Sequence, residues 1–396
     1  MADVAGAGLR IGVVGGSVAG CAMAIAGARA GADVTVYERS DGALEDRGFG
    51  IVVPPPLHAE LVRAGYLDAG MPTAPVRSRI WLAREPGRQE ARELARQEAA
   101  VTPCHWGLLW RTLRANAAGV TYHRGRPVTE VLRQPSGGAL IRTADSEQRY
   151  DIVVGADGPR SVTRAAVAPE VRPVPAGYAV WRGTLPLDAL AGRPHALELV
   201  RTAWITLGFR GGHGVFYLIP GAVDGSRLLA YAIYGPPPPP SWTAGREEYV
   251  RRVAEEHFPA DWAEIVGLGA HTSLACHDVA DFHVPRVAEP PFLLAGDAAS
   301  ITRPHTASGA TKALQDALCL ERALRASSSA AEALHRYADE RSDEGARLVA
   351  LGRRLGHAMV ERTPDWGVMG PAEVAGWSRA TLDGAGSYLY GRIRRE

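Results

Sequence analysis

Residues 9–38, LRIGVVGGSVAGCAMAIAGARAGADVTVYE, decide the fold. Leu9–Val14 is a short apolar run of the kind used by a strand buried on both faces. A glycine-rich turn follows. Ala19–Ala30 is then rich in alanine, which loses least on entering a helix. Asp33–Glu38 returns to β-branched and aromatic residues. Strand, glycine turn, helix and strand within about 30 residues predict a βαβ unit.

The turn Gly15-Gly16-Ser17-Val18-Ala19-Gly20 fits G-x-G-x-x-G except that Ser17 replaces the middle glycine. Gly15 permits the tight turn, and Gly20 lets the helix pack close to the sheet. The free N–H groups where Ser17, Val18 and Ala19 open the helix suit a pyrophosphate. Glu38, followed by Arg39, ends the second strand, where a carboxylate accepts hydrogen bonds from a ribose hydroxyl pair. A glutamate there suits FAD or NAD and repels a 2′-phosphate. The motif alone does not choose between them.

The remaining composition narrows the class. The 396 residues, 46% hydrophobic and 22% charged, suit two intimately joined globular domains. Lys plus Arg total 44 against 43 Asp plus Glu, a net charge of +1 that argues against nucleic acid or an anionic membrane as main partner. Lys312 is the only lysine, so any Schiff-base chemistry would run through it. Cys21, Cys104, Cys276 and Cys319 lie far apart without C-x-x-C spacing, which predicts thiols in a reducing compartment. His271, Cys276, His277 and His283 match no zinc spacing, and no metal is expected. The N-terminal apolar stretch is broken by Gly15, Gly16, Ser17 and Arg29 and lacks a basic leader. It therefore reads as neither signal peptide nor membrane span, and a cytoplasmic setting is expected.

Outward from the βαβ unit, helices are expected over 54–70 and 106–116, and paired strands over 120–142 around a turn at 135–138. The charged segment 84–97 reads as a solvated hairpin or loop. After Val171, short β-prone pieces at 180–187, 203–210, 214–219 and 228–234 predict an inserted antiparallel sheet. Pro236–Pro240 reads as a stiff connection. Helices are expected around 246–257, over 311–326 and through most of the tail. The expected fold class is α/β: a Rossmann-like nucleotide domain (1–75, 100–170 and 285–330), an inserted β-sheet substrate domain (76–99 and 171–284) and a helical C-terminal segment (331–396).

Two later segments select the cofactor. Residues 151–164, DIVVGADGPRSVTR, run from a strand into Gly155-Ala156-Asp157-Gly158. Residues 292–317, FLLAGDAASITRPHTASGATKALQDA, run from a strand through Gly296-Asp297 and a Pro304 loop into a helix. In this order and spacing, the three segments resemble the FAD-dependent aromatic hydroxylases of the p-hydroxybenzoate hydroxylase class over nearly the whole chain. The Gly-Gly-Ser turn, the Arg303-Pro304-His305-Thr306 loop and the Trp366–Met369 tail look closest to the pyridine-diol and hydroxynicotinate hydroxylases.

That resemblance implies roles. Glu38 and Arg111 would serve the ribose and pyrophosphate side of FAD, with Val128 by the adenine. Asp157 and Gly158 belong to the shared FAD/NAD(P)H motif, and Asp297 would hold the ribitol. Pro304 and the loop Ala307-Ser308-Gly309-Ala310 would present a helix N-terminus to the flavin N1–C2=O edge, where reduced flavin carries negative charge. The chain departs from the family pattern at Ser17, at Ala307-Ser308 (usually Gly-Gln) and at Thr311 (usually Asn).

His213 and Tyr217, four apart on a β-prone segment, share one face. With His305 from the flavin loop they are the candidate catalytic residues, His213 being the first choice for ionising a substrate hydroxyl with Tyr217 as relay or orienter. The implied reaction is an NAD(P)H- and O2-consuming hydroxylation of a small aromatic or heteroaromatic substrate through a flavin C4a-hydroperoxide. NADH or NADPH would bind transiently, and a homodimer is allowed. An oxidase or dehydrogenase without oxygen insertion, or a non-catalytic flavin redox sensor, are the alternatives.

Overall fold

The computed structural model describes residues 8–42, 44, 49–223 and 225–382; residues 383–396 of the expected C-terminal segment lie outside them. The quoted βαβ unit forms from the strand Arg10–Val14, the helix Val18–Arg29 and the strand Asp33–Tyr37. It sits in a six-stranded sheet, in the order Ala288–Glu289, Phe292–Leu294, Ile152–Gly155, Arg10–Val14, Asp33–Tyr37, Thr121–His123, parallel except at the first strand. Buried Met23, Ile25, Leu109, Leu113, Leu314 and Leu320 pack helices on one face. Val131, Ile141 and Tyr150 of a three-stranded meander (residues 130–150) close the other, against Val14, Tyr37 and Val153. Covered on both faces, such strands must be apolar throughout, which is how they read in sequence.

The second sheet has nine strands. In order they are Ser300–Ile301, Leu274–His283, Val174–Pro186, Arg227–Gly235, Gly212–Pro220, Trp204–Phe209, Val76–Arg84, Ala91–His105 and Gly50–Val53. Side chains alternate between its faces. Trp181, Phe216, Leu218 and Tyr231 pack against the helices Arg246–His257 and Ala260–Thr272. Tyr178, Val180, Val215, Tyr217 and Tyr234 point the other way, toward the C-terminal Leu348, Leu355 and Trp366. The edge strands Gly50–Val53 and Ser300–Ile301 come from segments that the sequence assigns to the nucleotide half. The two halves are thus stitched through one sheet.

Two local expectations change. Only Glu130–Arg133 and Ala139–Arg142 pair around the 135–138 turn, while Thr121–His123 joins the parallel sheet beside Asp33–Tyr37. The charged segment 84–97 is not merely a solvated face. Its strand pairs with Val76–Arg84 and buries Leu94 and Gln97, with the Trp81 indole donating to Gln97 Oε1 at 2.6 Å. Arg92 donates to the carbonyls of Trp366, Gly367 and Met369 at 2.9–3.1 Å, fastening the C-terminal segment. Charge density hid this, because a guanidinium that caps backbone carbonyls looks in sequence like any solvated arginine.

Candidate active site

The glycine turn is built by close approach. Gly15 has φ +97°, and a Cβ there would lie 2.5 Å from the Ala156 carbonyl oxygen; one at Gly20 would collide with the Gly15 carbonyl oxygen. Trp110 Nε1 and the Tyr122 hydroxyl both donate to the Gly16 carbonyl at 2.9 Å. Ser17 makes no side-chain cap, and the first turn of its helix carries no acid. The helix therefore offers uncapped N–H groups to a cleft of about 580 Å³, lined by Gly15, Ser17, Val18, Ala19, Glu38, Arg39, Val128 and Asp157 among others. Glu38 is pinned, with Oε2 accepting from the Gly16 N–H at 2.7 Å and Oε1 from the Ser40 N–H at 2.8 Å. Its remaining lone pairs are available to hydroxyls. A glycine cradle, an uncapped helix start and an oriented carboxylate along one cleft fit a dinucleotide.

Not every expected residue reaches this cleft. Arg111 is exposed on the helix Trp106–Asn116 and does not line it, because that helix turns Leu109, Trp110 and Leu113 inward. Gly20 is buried within the turn. Asp157 lines the cleft, but its carboxylate accepts from the Ser161 hydroxyl at 2.5 Å and the Val162 N–H at 2.8 Å, so it organises its own loop. Burial raises its pKa against those hydrogen bonds.

A second cavity, about 360 Å³, adjoins the first. Ile51, Arg182, Asp297, Gly309 and Ala310 line both, forming the rim between them. Asp297 is presented by Lys312: the buried ammonium donates to the Gly296 carbonyl at 2.9 Å and to the Ser300 carbonyl, with Asp297 Oδ1 at 3.5 Å. The lone lysine thus fixes a loop. Ala307 holds φ +50°, the left-handed region where the family pattern has glycine. The next helix, Gly309–Ala326, starts without a side-chain cap or an acid in its first turn. Ser308 instead bonds Thr306 and Thr302 hydroxyls at 2.7 and 3.1 Å. Pro304 and Ser308 line the second cavity and not the cleft.

His213, Tyr217 and His305 all line this second cavity. Their pairing differs from the expectation. The Tyr217 hydroxyl donates to the Gly50 carbonyl at 2.7 Å and its ring stacks on Trp204 at 3.9 Å, so it is no relay for His213. Register is the reason, since His213 lies opposite Tyr234 and Tyr217 opposite Ala230. His213 stacks on Tyr234 at 4.6 Å and lies 5.2 Å from the His305 ring. Its Nδ1 lies 3.3 Å from the Met359 carbonyl, which can only accept; Nδ1 then carries the proton and Nε2 is the acceptor. His305 Nε2 is 2.6 Å from the Tyr178 hydroxyl, a partner that no spacing in the sequence reveals.

Both imidazoles are neutral. Burial, then the Arg79 charge, pushes His213 down to about 3. Burial, then neighbouring His213, holds His305 well below its ordinary value. The unperturbed value near 6.5 assumed from sequence does not survive burial. Arg79, 2% exposed, donates from Nε to Thr206 Oγ1 at 2.6 Å and lies 4.2 Å over the Trp81 ring. Behind His305, Arg303 binds Asp281 Oδ2 at 2.9 Å and Arg353 binds Oδ1 at 2.6 Å, anchoring the loop through a fully buried carboxylate.

Among the described residues no group of acidic, histidine and cysteine side chains is arranged to hold a metal, and no helix is long and apolar enough to cross a membrane. The four cysteines are free thiols.

Comparison with known proteins agrees with this geometry. The FAD binding domain family matches residues 9–351. A 3-amino-4-hydroxybenzoate 2-monooxygenase from Streptomyces cremeus is 30% identical, with 88% of this chain and 86% of that one covered. A 2,6-dihydroxypyridine 3-monooxygenase from Paenarthrobacter nicotinovorans is 27% identical over 78% and 81%. The solved structure of 2,6-dihydroxypyridine-3-hydroxylase from Arthrobacter nicotinovorans superposes with a TM-score of 0.77 at 24% identity, covering 98% of this chain and 97% of that one. The α/β fold with its second, β-rich sheet is that of the FAD-dependent hydroxylases. The chain belongs to the FAD binding domain family and is an FAD-dependent monooxygenase.

Proposed function

We propose that the protein hydroxylates a small aromatic or N-heteroaromatic ring that already bears a hydroxyl group, using O2 and NADH or NADPH. One oxygen atom enters the ring, the other leaves as water, and the nicotinamide supplies the two electrons. The observation that carries this reading is the shared rim. A cleft fit for a dinucleotide opens into a cavity walled by two buried neutral histidines.

FAD, when bound, supplies electron transfer from the nicotinamide and activation of O2. Gly15, Ser17, Val18, Ala19 and Glu38 would hold its nucleotide end, with Gly20 serving only the close packing of the turn, and Asp297 its ribitol. The helix start at Ser308, Gly309 and Ala310 would place N–H groups and a positive dipole end beside the reacting ring. His213 Nε2 accepts a hydrogen bond from the substrate hydroxyl. Held well below its ordinary basicity, it orients and polarises that O–H, which enriches the ring carbons, and does not take the proton outright as the sequence reading expected. His305, held by Tyr178, orients the same group. Trp204, Val215, Tyr217 and Tyr234 supply an apolar wall that excludes water.

The test is purification with bound flavin, followed by hydroxylated benzenes and pyridines offered with NADH or NADPH. An oxygenated product in step with NAD(P)H consumption is expected. Hydrogen peroxide alone with every ring would indicate an oxidase. A bound flavin that is never reduced would indicate a sensor.

A further inference from the structure

The Gly16 carbonyl lies just outside the helix Val18–Arg29, whose first backbone bond is accepted by Ser17 instead, from the Cys21 N–H at 2.9 Å. It nevertheless takes three donors: Trp110 Nε1 and the Tyr122 hydroxyl at 2.9 Å each, and the Cys21 thiol at 3.3 Å. An amide oxygen has two lone pairs, so this acceptor is saturated. The donors come from three elements: the helix Trp106–Asn116, the strand Thr121–His123 and the turn's own helix. Trp110 and Cys21 are buried, and Arg114 lies 4.2 Å over the Tyr122 ring. The approach is tight enough to dictate sequence. A Cβ at Gly16 would collide with the Tyr122 hydroxyl, so the second glycine of the turn serves this contact. The G-x-G-x-x-G pattern itself leaves that position open.

None of the three donors lines the nucleotide cleft, whereas Ser17 does. The peptide joining Gly16 to Ser17 is trans, so its N–H points opposite to its C=O. A carbonyl held on the side away from the cleft therefore turns the Ser17 N–H toward it. The two preceding N–H groups are already committed, Gly15 to the Tyr37 carbonyl at 2.8 Å and Gly16 to Glu38 Oε2 at 2.7 Å. Ser17 is thus the first donor of the turn left for an anion. Hydrogen bonds onto a carbonyl also polarise the N–H of the same peptide. We propose that Trp110 and Tyr122 are positioning residues of the cofactor site, which preset the Ser17 N–H toward a diphosphate before the cofactor arrives. This rests on the reading that the glycine turn holds the nucleotide end of FAD.

The experiment dilutes the FAD-loaded protein until cofactor dissociates and quantifies FAD in the ultrafiltrate, for wild type, Tyr122→Phe and Trp110→Phe. ADP and riboflavin are added as competitors, because ADP carries the diphosphate and riboflavin carries none. Each phenylalanine keeps an aromatic ring in place and removes the donor. Each variant is expected to weaken FAD and ADP by the same factor, about 3–10-fold, the worth of one neutral hydrogen bond, and to leave riboflavin unchanged. Tyr122→Phe deletes a single oxygen atom and carries the test if Trp110→Phe does not fold. Unchanged FAD and ADP affinity in the variants would overturn the inference. So would equal weakening of ADP and riboflavin, because the two side chains would then support the fold as a whole. ADP that fails to displace FAD even from wild type would sink the assignment of the turn to the nucleotide end, and this inference with it. ADP that competes equally well with wild type and variants would leave that assignment standing and remove only the role of Trp110 and Tyr122.

Discussion

The Tyr178 hydroxyl lies 2.6 Å from Nε2 of His305, and both side chains are buried. Arg303 passes 5.6 Å from the Tyr178 ring and is itself anchored to buried Asp281. The loop that carries His305 is thereby tied to the floor of the second sheet. Tyr178→Phe should lower coupled hydroxylation by about 3–10-fold, the net worth of one neutral hydrogen bond, with FAD content unchanged. Product formed per NAD(P)H consumed is the measurement. Full coupling in the variant would make the contact a packing feature.

Buried neutral histidines make stability depend on pH. His213 is held at about 3 in the folded protein against about 6.5 when unfolded, and His305 is lowered too. Between these values the unfolded chain binds more protons, so stability is fully present above about pH 6.5 and falls as the pH drops toward 3. The slope is about 1.4 kcal/mol per pH unit for each imidazole. Urea unfolding at pH 7.5 and 5.5 checks this, and His213→Phe should flatten the profile.

Ala307 occupies a left-handed conformation that costs a non-glycine residue about 1 kcal/mol. Ala307→Gly should raise the unfolding free energy by up to about 1 kcal/mol, seen as a higher urea midpoint, and retain FAD. A lower midpoint would show that the alanine methyl contributes more to packing than its backbone costs.

Asp297→Asn should weaken FAD binding about tenfold, as a charge-assisted acceptor becomes a neutral one. It also leaves the Lys312 ammonium beside it without its counter-charge. Equilibrium release of fluorescent flavin on dilution reads the affinity directly. An unchanged constant would remove Asp297 from the cofactor contacts.

The cofactor half was legible because its signals are local. Gly15 and Gly20 are demanded by contacts within one turn and its neighbouring strand, and Glu38 ends a strand of the same βαβ unit. Period-two alternation likewise puts His213 and Tyr217 on one face whatever the rest of the chain does. The helices Pro194–Thr202 and Ala260–Thr272 were not legible, because their apolar faces mean little apart from the sheet they cover.

What the sequence determined by itself was therefore the dinucleotide turn, the order of the three family segments and the candidate histidines. Which residue each histidine meets was decided only by tertiary structure. Tyr178 and His305 are 127 residues apart, and strand pairing, not spacing, brings them together. The same register sets Tyr234 against His213 and Tyr217 under Trp204, and burial then removes the charge that both imidazoles would carry in water at mildly acid pH. Local sequence fixes backbone geometry through sterics. Partner choice and protonation depend on long-range packing and desolvation, which no local stretch encodes.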